Sequence, residues 1–217
     1  MSRAARTLLL VTLLATLPAA AAPDEADGDA PTVRVKLDAR EYALGRSDAP
    51  LTIVEFTDYQ CPYCRKFQAQ TFPQLKARYI DTGKVRFIVR DLPLDFHSGA
   101  RPAAEAAHCA AEQGKFWEMH AALLSGDDAL SASGIDRRAQ AVGLDLPRLH
   151  ACTQAARYEG AIARNAATAD ALAIHGTPAF VIGRAQRDGV LEGALVQGAQ
   201  PWEVFDSGLS GLLAAGG

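Results

Sequence analysis

Apolar side chains alternate with polar ones over residues 33–37, and a continuous β-branched run follows at 51–56. Alternation is typical of a half-buried strand, and a short continuous run is typical of a strand buried on both faces. A third strand-like stretch covers 85–89, and residues 61–80 predict a helix that Pro73 kinks. This strand–helix–strand order predicts a β/α/β unit with parallel strands.

The middle of the chain is rich in alanine, glutamate, glutamine and leucine, which favour helix. The predicted helices cover residues 103–124, with an interruption near Gly114, then 135–142, 146–154 and 155–173. A strand pattern returns at 179–182, residues 195–197 are placed to pair with it, and 201–213 predict a closing helix. We therefore predict a small α/β core into which a helical region is inserted.

The first residues carry a targeting pattern. Arg3 and Arg6 precede an apolar stretch over residues 8–17, and small residues follow at 19–22. This order is typical of a secretory signal peptide, and the apolar stretch is too short to span a bilayer. We predict cleavage after Ala21 and export to an oxidising compartment, where disulfides form and persist.

Charge and histidine spacing exclude several kinds of partner. The formal net charge is −3, from 22 Lys and Arg against 25 Asp and Glu, and the basic residues are scattered. A nucleic-acid-binding protein presents a clustered basic patch, so we predict no nucleic-acid partner. The histidines, which have no metal-ligand spacing, are His97, His108, His120, His150 and His175. We predict no metal and no organic cofactor.

Cys61 and Cys64 stand three positions apart where a predicted strand gives way to a helix. A sulfur in the first turn lies near unpaired backbone N–H groups and the positive end of the helix dipole, which lower its pKa. Pro62 suits the first helical position. Cys64 lies one turn inward, less exposed and close enough to form a disulfide with Cys61. We predict that Cys61 is the attacking sulfur and Cys64 the resolving sulfur.

Two other interpretations of this cysteine spacing are half of a zinc site and an inert disulfide. A structural zinc site needs four ligands, usually as two close pairs, whereas Cys109 and Cys152 are each isolated. An inert disulfide that closes so short a loop gains little from chain entropy. A redox-active pair is therefore the favoured interpretation.

A second motif lies near the end of the chain, where Gly176 and Thr177 precede Pro178 at the start of a predicted strand. Only bonds that precede proline adopt the cis form at modest cost. The Thr177–Pro178 bond is therefore a candidate cis bond, and the prediction depends on its combination with the cysteine motif.

Three stretches, 55–67, 109–120 and 176–180, together resemble DsbA-like periplasmic thiol–disulfide oxidoreductases of the thioredoxin superfamily, and the resemblance covers about residues 42–205. It implies an α/β, thioredoxin-like fold, with a central mixed sheet flanked by helices and an inserted all-helical subdomain. The domains implied are a signal peptide at 1–21, a leader and first strand at 22–50, the thioredoxin-like core at 51–97 and 174–217, and the helical insertion at 98–173.

The resemblance also implies roles around the cysteines. Thr177 and Pro178 would face the cysteine pair and offer backbone and shape to a substrate peptide. Glu55, six positions before Cys61, matches the buried acid of the superfamily and would relay a proton near Cys64. Burial on an apolar strand would raise the pKa of this carboxyl. The alternative for Glu55 is a surface carboxylate at the end of a strand.

Cys109 and Cys152 fall in the predicted helical insertion, forty-three positions apart. Four cysteines allow three pairings, and Cys61–Cys64 with Cys109–Cys152 is the simplest. We favour a structural bridge between Cys109 and Cys152, which would stabilise the fold by roughly 3–4 kcal/mol in the chain-entropy model. The alternative is an internal redox relay that tunes the other pair.

The direction of electron flow depends on Tyr63, which stands where the best-known oxidase of this family has histidine. Tyrosine cannot stabilise a thiolate by charge. The favoured function is an oxidase of substrate-protein cysteines, a monomer in the periplasm, reoxidised by a DsbB-like quinone-linked membrane partner. The alternatives are an isomerase or reductase kept reduced by a DsbD-like membrane partner, and a non-catalytic, chaperone-like binding module. Too few residues precede Leu51 for the dimerisation domain that such isomerases carry.

Overall fold

The computed structural model describes residues 31–38, 41–126 and 130–216. The predicted signal peptide and most of the leader therefore lie outside the described residues. Within them, six strands form one mixed sheet in the order β1-β6-β5-β3-β4-β2. The strands are β1 (Thr32–Lys36), β2 (Ala43–Leu44), β3 (Leu51–Thr57), β4 (Val85–Asp91), β5 (Ala179–Ala185) and β6 (Val190–Gln197).

Helices cover both faces of this sheet. They are α1 (Pro62–Gln70), α2 (Phe72–Leu75), α3 (Ala100–Ala111), α4 (Phe116–Leu124), α5 (Ala132–Ala141), α6 (Leu146–Gln154), α7 (Glu159–Ala171) and α8 (Trp202–Ala214). Helices α3 to α7, here called the helical segment, lie between β4 and β5 in the chain. None of the helices in the described ranges is long and apolar enough to cross a bilayer. That this segment is a separate subdomain bounded at 98 and 173 stays a prediction.

Strand β3 lies inside the sheet and is buried along its whole length. It pairs in parallel with β4, which confirms the predicted β/α/β unit, and antiparallel with β5. Side chains alternate between the two faces of a strand, so Ile53 joins the apolar cluster on one face while Val54 and Phe56 join the cluster on the other. Glu55 shares the face of Ile53, on which α1 packs.

The apolar cluster on the α1 face continues without a break into the helical segment. Phe67 of α1 and Phe87 of β4 belong to the same cluster as Met119 of α4 and Leu149 of α6. Burial of such large apolar side chains is the main source of stability in a fold of this kind. The packing therefore ties the helical segment firmly to the sheet.

Two predicted helices differ from the observed ones. The predicted helix 61–80 is broken at Thr71, because Pro73 lacks the N–H group that would bond back across the break. After α2 the backbone widens into a single π turn over Lys76–Ile80. The helix predicted at 155–173 begins at Glu159, since Ala156 has a φ of 47°, a left-handed conformation that no right-handed helix contains.

Two strand predictions were incomplete. Strand β2 has two residues, too few to produce a hydrophobic pattern. Strand β6 runs from Val190, well before the predicted start at 195, and Gly193 inside it hides the strand pattern. Gly193 lies opposite Gly183 of β5, and a Cβ at Gly193 would sit 2.2 Å from the Ile182 carbonyl oxygen. The close approach of two backbones explains glycine at this position.

Candidate active site

Cys61 stands at the start of α1. It caps the helix with an extended backbone (φ −68°, ψ 124°), and Pro62 follows at the first helical position. Cys64 lies one turn inward, its side chain fully buried, whereas Cys61 is 4% exposed. Both thiols are free, and the backbone N–H of Asp58 donates to Cys64 Sγ at 3.4 Å. The arrangement gives an outer and an inner sulfur on one helical turn.

The Thr177–Pro178 motif comes from a distant part of the chain but lies beside the cysteine pair. The Thr177–Pro178 peptide bond is cis and directly precedes β5. Ala179 pairs with Phe56 near the end of β3, which brings the Thr177–Pro178 segment beside the loop that enters α1. Cys61 Sγ lies 3.3 Å from the Thr177 carbonyl oxygen, to which the protonated thiol can donate. The structure thus brings the two sequence motifs into contact.

The two thiols have opposite pKa shifts. A hydrogen bond from the Cys64 thiol lowers the pKa of Cys61 to about 5, against the effect of burial. The Thr177 side chain and the backbone N–H groups at the start of α1 lower it further. Burial, followed by the bond to Cys61 and the nearby charge of Glu55, raises the pKa of Cys64 well above its usual value. At neutral pH the pair therefore holds a single proton, on the inner sulfur.

Glu55 lies beneath this pair, inside the protein. Its side chain is 1% exposed, and it stands opposite Val89 on β4 and Phe180 on β5. Burial raises the pKa of this carboxyl to about 8, although the Thr57 hydroxyl is close enough to oppose the shift. No donor among the described residues meets normal hydrogen-bonding geometry with either carboxyl oxygen. The alternative of a surface carboxylate is therefore wrong.

Pro62 and Tyr63, between the two cysteines, both face solvent. The Tyr63 side chain is 61% exposed, so its ring is available to an approaching molecule. A tyrosine side chain has no cationic form, so Tyr63 adds no positive charge to the environment of Cys61.

Comparison with known proteins places this arrangement in a family. A family model described as Thioredoxin matches residues 38–197. The chain belongs to this thioredoxin family. A solved thioredoxin-like oxidoreductase from Silicibacter pomeroyi is 32% identical, with a TM-score of 0.67 over 80% of this chain and 92% of that one. The predicted thioredoxin-like fold, a mixed sheet with flanking and inserted helices, is confirmed.

Two further similarities differ in scope. The solved alpha-DsbA1 of Wolbachia pipientis has a TM-score of 0.74 at 23% identity, covering 83% of this chain and 94% of that one, and shows the fold. The Na(+)/H(+) antiporter NhaA 3 of Salinispora tropica is 41% identical over 144 residues. That match covers 66% of this chain and 22% of the antiporter, so the chain spans about a fifth of the length of such curated relatives.

The other two cysteines of this thioredoxin-family chain lie in the helical segment. Cys109 and Cys152 form a disulfide, with their Cα atoms 5.8 Å apart. Cys109 belongs to the last turn of α3 and Cys152 to the last turn of α6, and each is 1% exposed. The bridge therefore joins two neighbouring helices inside the apolar cluster.

The sequence predictions gave no role to Asp58 and His97, which the structure places at the site. Asp58 is 1% exposed, and its Oδ1 accepts hydrogen bonds from the backbone N–H groups of Gln60 at 2.7 Å and Cys61 at 3.0 Å. Its Oδ2 accepts from Leu94 N–H at 2.8 Å and lies 2.9 Å from His97 Nδ1. An aspartate that bonds the backbone two residues ahead is a turn signal, and it could have identified Asp58.

The remaining histidines have other surroundings. His108 lies 2.6 Å from an oxygen of Asp91, and His120 lies 3.1 Å from the Tyr59 hydroxyl in a fully buried position. Burial lowers the pKa of His120 to about 4, so its ring is neutral near pH 7. In the described part of the chain, no group of three histidine, cysteine, aspartate or glutamate side chains is placed to hold a metal ion.

Proposed function

We propose that this chain is an exported thiol–disulfide oxidoreductase that oxidises the dithiols of substrate proteins with its Cys61–Cys64 disulfide. One observation supports the direction above all others: the pKa of Cys61 is lowered to about 5 while Cys64 keeps its proton. A stabilised thiolate favours the reduced form of the pair, so the disulfide gives up its oxidising equivalents readily. It also makes Cys61 a good leaving group.

The reaction requires two exchange steps. A substrate thiolate attacks Cys61 Sγ, the disulfide breaks, and Cys64 leaves as a thiolate that takes up a proton. A second substrate thiolate then attacks the substrate sulfur of the mixed disulfide, which forms the substrate disulfide and releases Cys61 as a thiolate. Two electrons pass from the substrate to the cysteine pair, and no metal or organic cofactor takes part.

Glu55 is the proton donor that we assign to the first step. A pKa of about 8 leaves this buried carboxyl protonated at neutral pH, and its ionised form raises the pKa of Cys64. The leaving Cys64 thiolate needs a proton in a site from which water is largely excluded, since Cys64 is fully buried. A protonated Glu55 supplies this proton and takes up another one before the next cycle.

Thr177 and Pro178 form the surface on which we place the substrate peptide. This segment lies beside Cys61, whose sulfur is 3.3 Å from the Thr177 carbonyl oxygen. Because Cys61 is only slightly exposed, a substrate cysteine has to approach as part of an extended segment. Backbone groups of Thr177, the shape of Pro178 and the exposed Tyr63 ring are the surfaces that such a segment would contact.

Export to the periplasm and a membrane redox partner belong to the same proposal. The Cys109–Cys152 bridge is the kind of bond that persists in oxidising compartments, and the first residues have the pattern of a signal peptide. A DsbB-like quinone reductase would reoxidise the pair after each turnover. We propose that the protein acts as a monomer.

A second candidate is an isomerase or reductase kept reduced by a DsbD-like membrane partner. The observation that favours it is Tyr63, which is exposed and brings no positive charge to Cys61. Less positive charge near Cys61 means a less stabilised thiolate and a less oxidising disulfide. A non-catalytic binding module, the third candidate, would not depend on either thiol.

The three candidates separate in one set of assays. Oxidised protein is mixed with a peptide that contains two cysteines, and in parallel reduced protein is mixed with insulin. We expect fast peptide oxidation and slower insulin reduction. The reverse order of rates would support the reductase, and background rates in both assays for the wild type and the Cys61→Ser variant alike would support the binding module.

The order of attack has its own test. The Cys64→Ser variant lacks the resolving thiol. When its Cys61 thiolate attacks a peptide that contains a disulfide, we expect one peptide sulfur to leave as a thiolate and the mixed disulfide to accumulate, detected by mass spectrometry. The Cys61→Ser variant is the matched control, since it keeps Cys64 and should form no such adduct. An adduct on Cys64 instead would reverse the assigned roles.

A further inference from the structure

Asp58 is a buried carboxylate whose two oxygens are fully occupied by neighbouring donors. Its Oδ1 faces two backbone N–H groups on its own loop, and its Oδ2 faces a backbone N–H and a histidine ring on another loop. With 1% exposure, it has no access to substrate. Buried carboxylates are costly to place unless they are paired in this way, so the surroundings of Asp58 are a built feature.

The contacts of Asp58 join two loops. One loop, residues 58–61, leads from β3 into α1, and the other, residues 92–99, leads from β4 into α3. Asp58 contacts Leu94 and His97, and beside it Gln60 Oε1 accepts from Gly99 N–H at 2.7 Å. We call these five residues the clasp. It fixes the entry of α1 against the entry of the helical segment.

Both sulfurs depend on this one residue. The Asp58 side chain accepts from the Cys61 backbone N–H at 3.0 Å, and the Asp58 backbone N–H donates to Cys64 Sγ at 3.4 Å. The Asp58 carbonyl oxygen also accepts from Cys61 N–H at 3.1 Å, which closes the turn. Movement of Asp58 would therefore displace the outer cysteine through its backbone and the inner cysteine through its sulfur.

We propose that Asp58, anchored by His97, is a positioning residue that holds Cys61 and Cys64 in their reactive arrangement on the first turn of α1. This inference rests on the proposed function for its consequence in catalysis, although the geometry it concerns is independent of the direction of electron flow. The stabilisation of the Cys61 thiolate requires the Cys64 thiol and the N–H groups of the first turn to point at it, and directional hydrogen bonds weaken steeply when misaligned.

The charge and the position of Asp58 have opposite effects on the pKa of Cys61, and this makes the proposal testable. A nearby negative charge disfavours a thiolate, so loss of the charge alone would lower the pKa of Cys61. Loss of the alignment of the first turn would raise that pKa. The Asp58→Asn variant has one oxygen where the wild type has two, so it cannot accept all of the same hydrogen bonds.

The experiment measures two quantities in the reduced and oxidised protein. The pKa of Cys61 is read from the ultraviolet absorbance of its thiolate, and the equilibrium constant of the pair is read against glutathione. For Asp58→Asn we expect the pKa to rise by about one unit and the equilibrium constant for reduction to fall by about tenfold. His97→Ala, which leaves Asp58 in place, should also raise the pKa of Cys61 and lower the equilibrium constant for reduction, each by a smaller factor.

A matched control separates positioning from general loss of stability. Asp91 is likewise buried, at 2% exposure, and paired with a histidine, His108, but neither of them has a hydrogen bond to Cys61 or Cys64 among the described residues. Asp91→Asn should lower the unfolding midpoint in denaturant and leave the pKa of Cys61 and the equilibrium constant unchanged. A control that shifts both quantities as far as Asp58→Asn does would overturn the proposal.

Two other outcomes test the positioning proposal and the proposed function separately. An unchanged or lowered pKa of Cys61 in folded His97→Ala, which keeps the Asp58 side chain, would refute positioning by the clasp. This variant also decides the proposal if Asp58→Asn fails to fold. Failure of the wild type to oxidise a dithiol peptide would refute the proposed function. It would leave the positioning result intact, because the pKa of Cys61 is measured without a substrate.

Discussion

Cys61–Cys64 and Cys109–Cys152 differ in where their sulfurs stand on their helices, and hardly at all in burial. All four side chains are at most 4% exposed. Cys61 caps the start of α1, whereas Cys109 and Cys152 lie in the last turns of α3 and α6. The start of a helix has a partial positive charge and its end a partial negative one. We therefore expect helix end, more than exposure, to separate a reactive sulfur from an inert one in this fold.

A neighbouring charge adds to the difference between the two cysteine pairs. Glu112 Oε1 lies 3.5 Å from Cys152 Sγ, while Cys61 has a thiol and backbone donors around it. Exchange of a disulfide releases a thiolate, and a carboxylate beside the sulfur disfavours that thiolate. We therefore expect the Cys109–Cys152 bridge to be structural, and the alternative of an internal redox relay is tested by the second prediction below.

Replacement of Cys61 should have the largest effect. In Cys61→Ser the nucleophile and leaving group are lost, so the rate of dithiol-peptide oxidation should fall to the uncatalysed background, measured by mass spectrometry of the peptide. A Cys109→Ser, Cys152→Ser double variant serves as the control and should oxidise the peptide at the wild-type rate. Residual catalysis by Cys61→Ser would mean that the chemistry lies elsewhere.

Removal of the other pair should affect stability instead. The Cys109→Ala, Cys152→Ala double variant should lose about 3–4 kcal/mol of unfolding free energy in denaturant titrations, because the unfolded chain is no longer constrained by the bridge. The reduction potential of Cys61–Cys64 should stay the same. A change in that potential, with little change in stability, would support the redox relay.

Glu55 should produce a pH dependence of stability. Its folded pKa of about 8 lies above the ordinary value of 4.5, so between these values the folded protein holds a proton that the unfolded chain has released. Stability therefore decreases as the pH rises through this window, by an amount on the order of 3 kcal/mol. Denaturation of the oxidised protein from about pH 5 to about pH 8 measures this decrease. Glu55→Gln should remove it, and an equal decrease in that variant would exclude Glu55 as its source.

A change at Tyr63 should have the smallest effect. Tyr63→His brings a residue that can carry positive charge close to the start of α1, which stabilises the Cys61 thiolate further. Because the position is largely exposed, we expect the equilibrium constant with glutathione to move only about twofold to fivefold toward the reduced form. Tyr63→Phe is the uncharged control. A shift toward the oxidised form in Tyr63→His would contradict the electrostatic explanation.

Features encoded locally were predictable from the sequence. The bounds of α6 agree with the predicted 146–154, because Asp145 caps the helix through Arg148 N–H and Pro147 occupies its first turn. Strand β3 followed from its continuous β-branched run, and the thiol motif from its position at a strand–helix junction. In each case the deciding signal lies within a few residues of the element.

Features that depend on distant contacts were not predictable. The contact of Asp58 with His97 joins positions thirty-nine apart, and nothing local marks His97 as its partner. The start of β6 depends on the pairing of Gly193 with Gly183, which follows from sheet register and not from strand propensity. The cis Thr177–Pro178 segment was predicted only through its combination with the cysteine motif.

The reduction potential of the Cys61–Cys64 pair, measured by equilibration of the purified protein in glutathione buffers, tests the central claim most directly. If a stabilised Cys61 thiolate makes this pair a disulfide donor, the potential should lie near about −120 mV, as in strongly oxidising proteins of this chemistry. A value of about −200 mV or lower would contradict the oxidase and assign the chain to the isomerases or reductases.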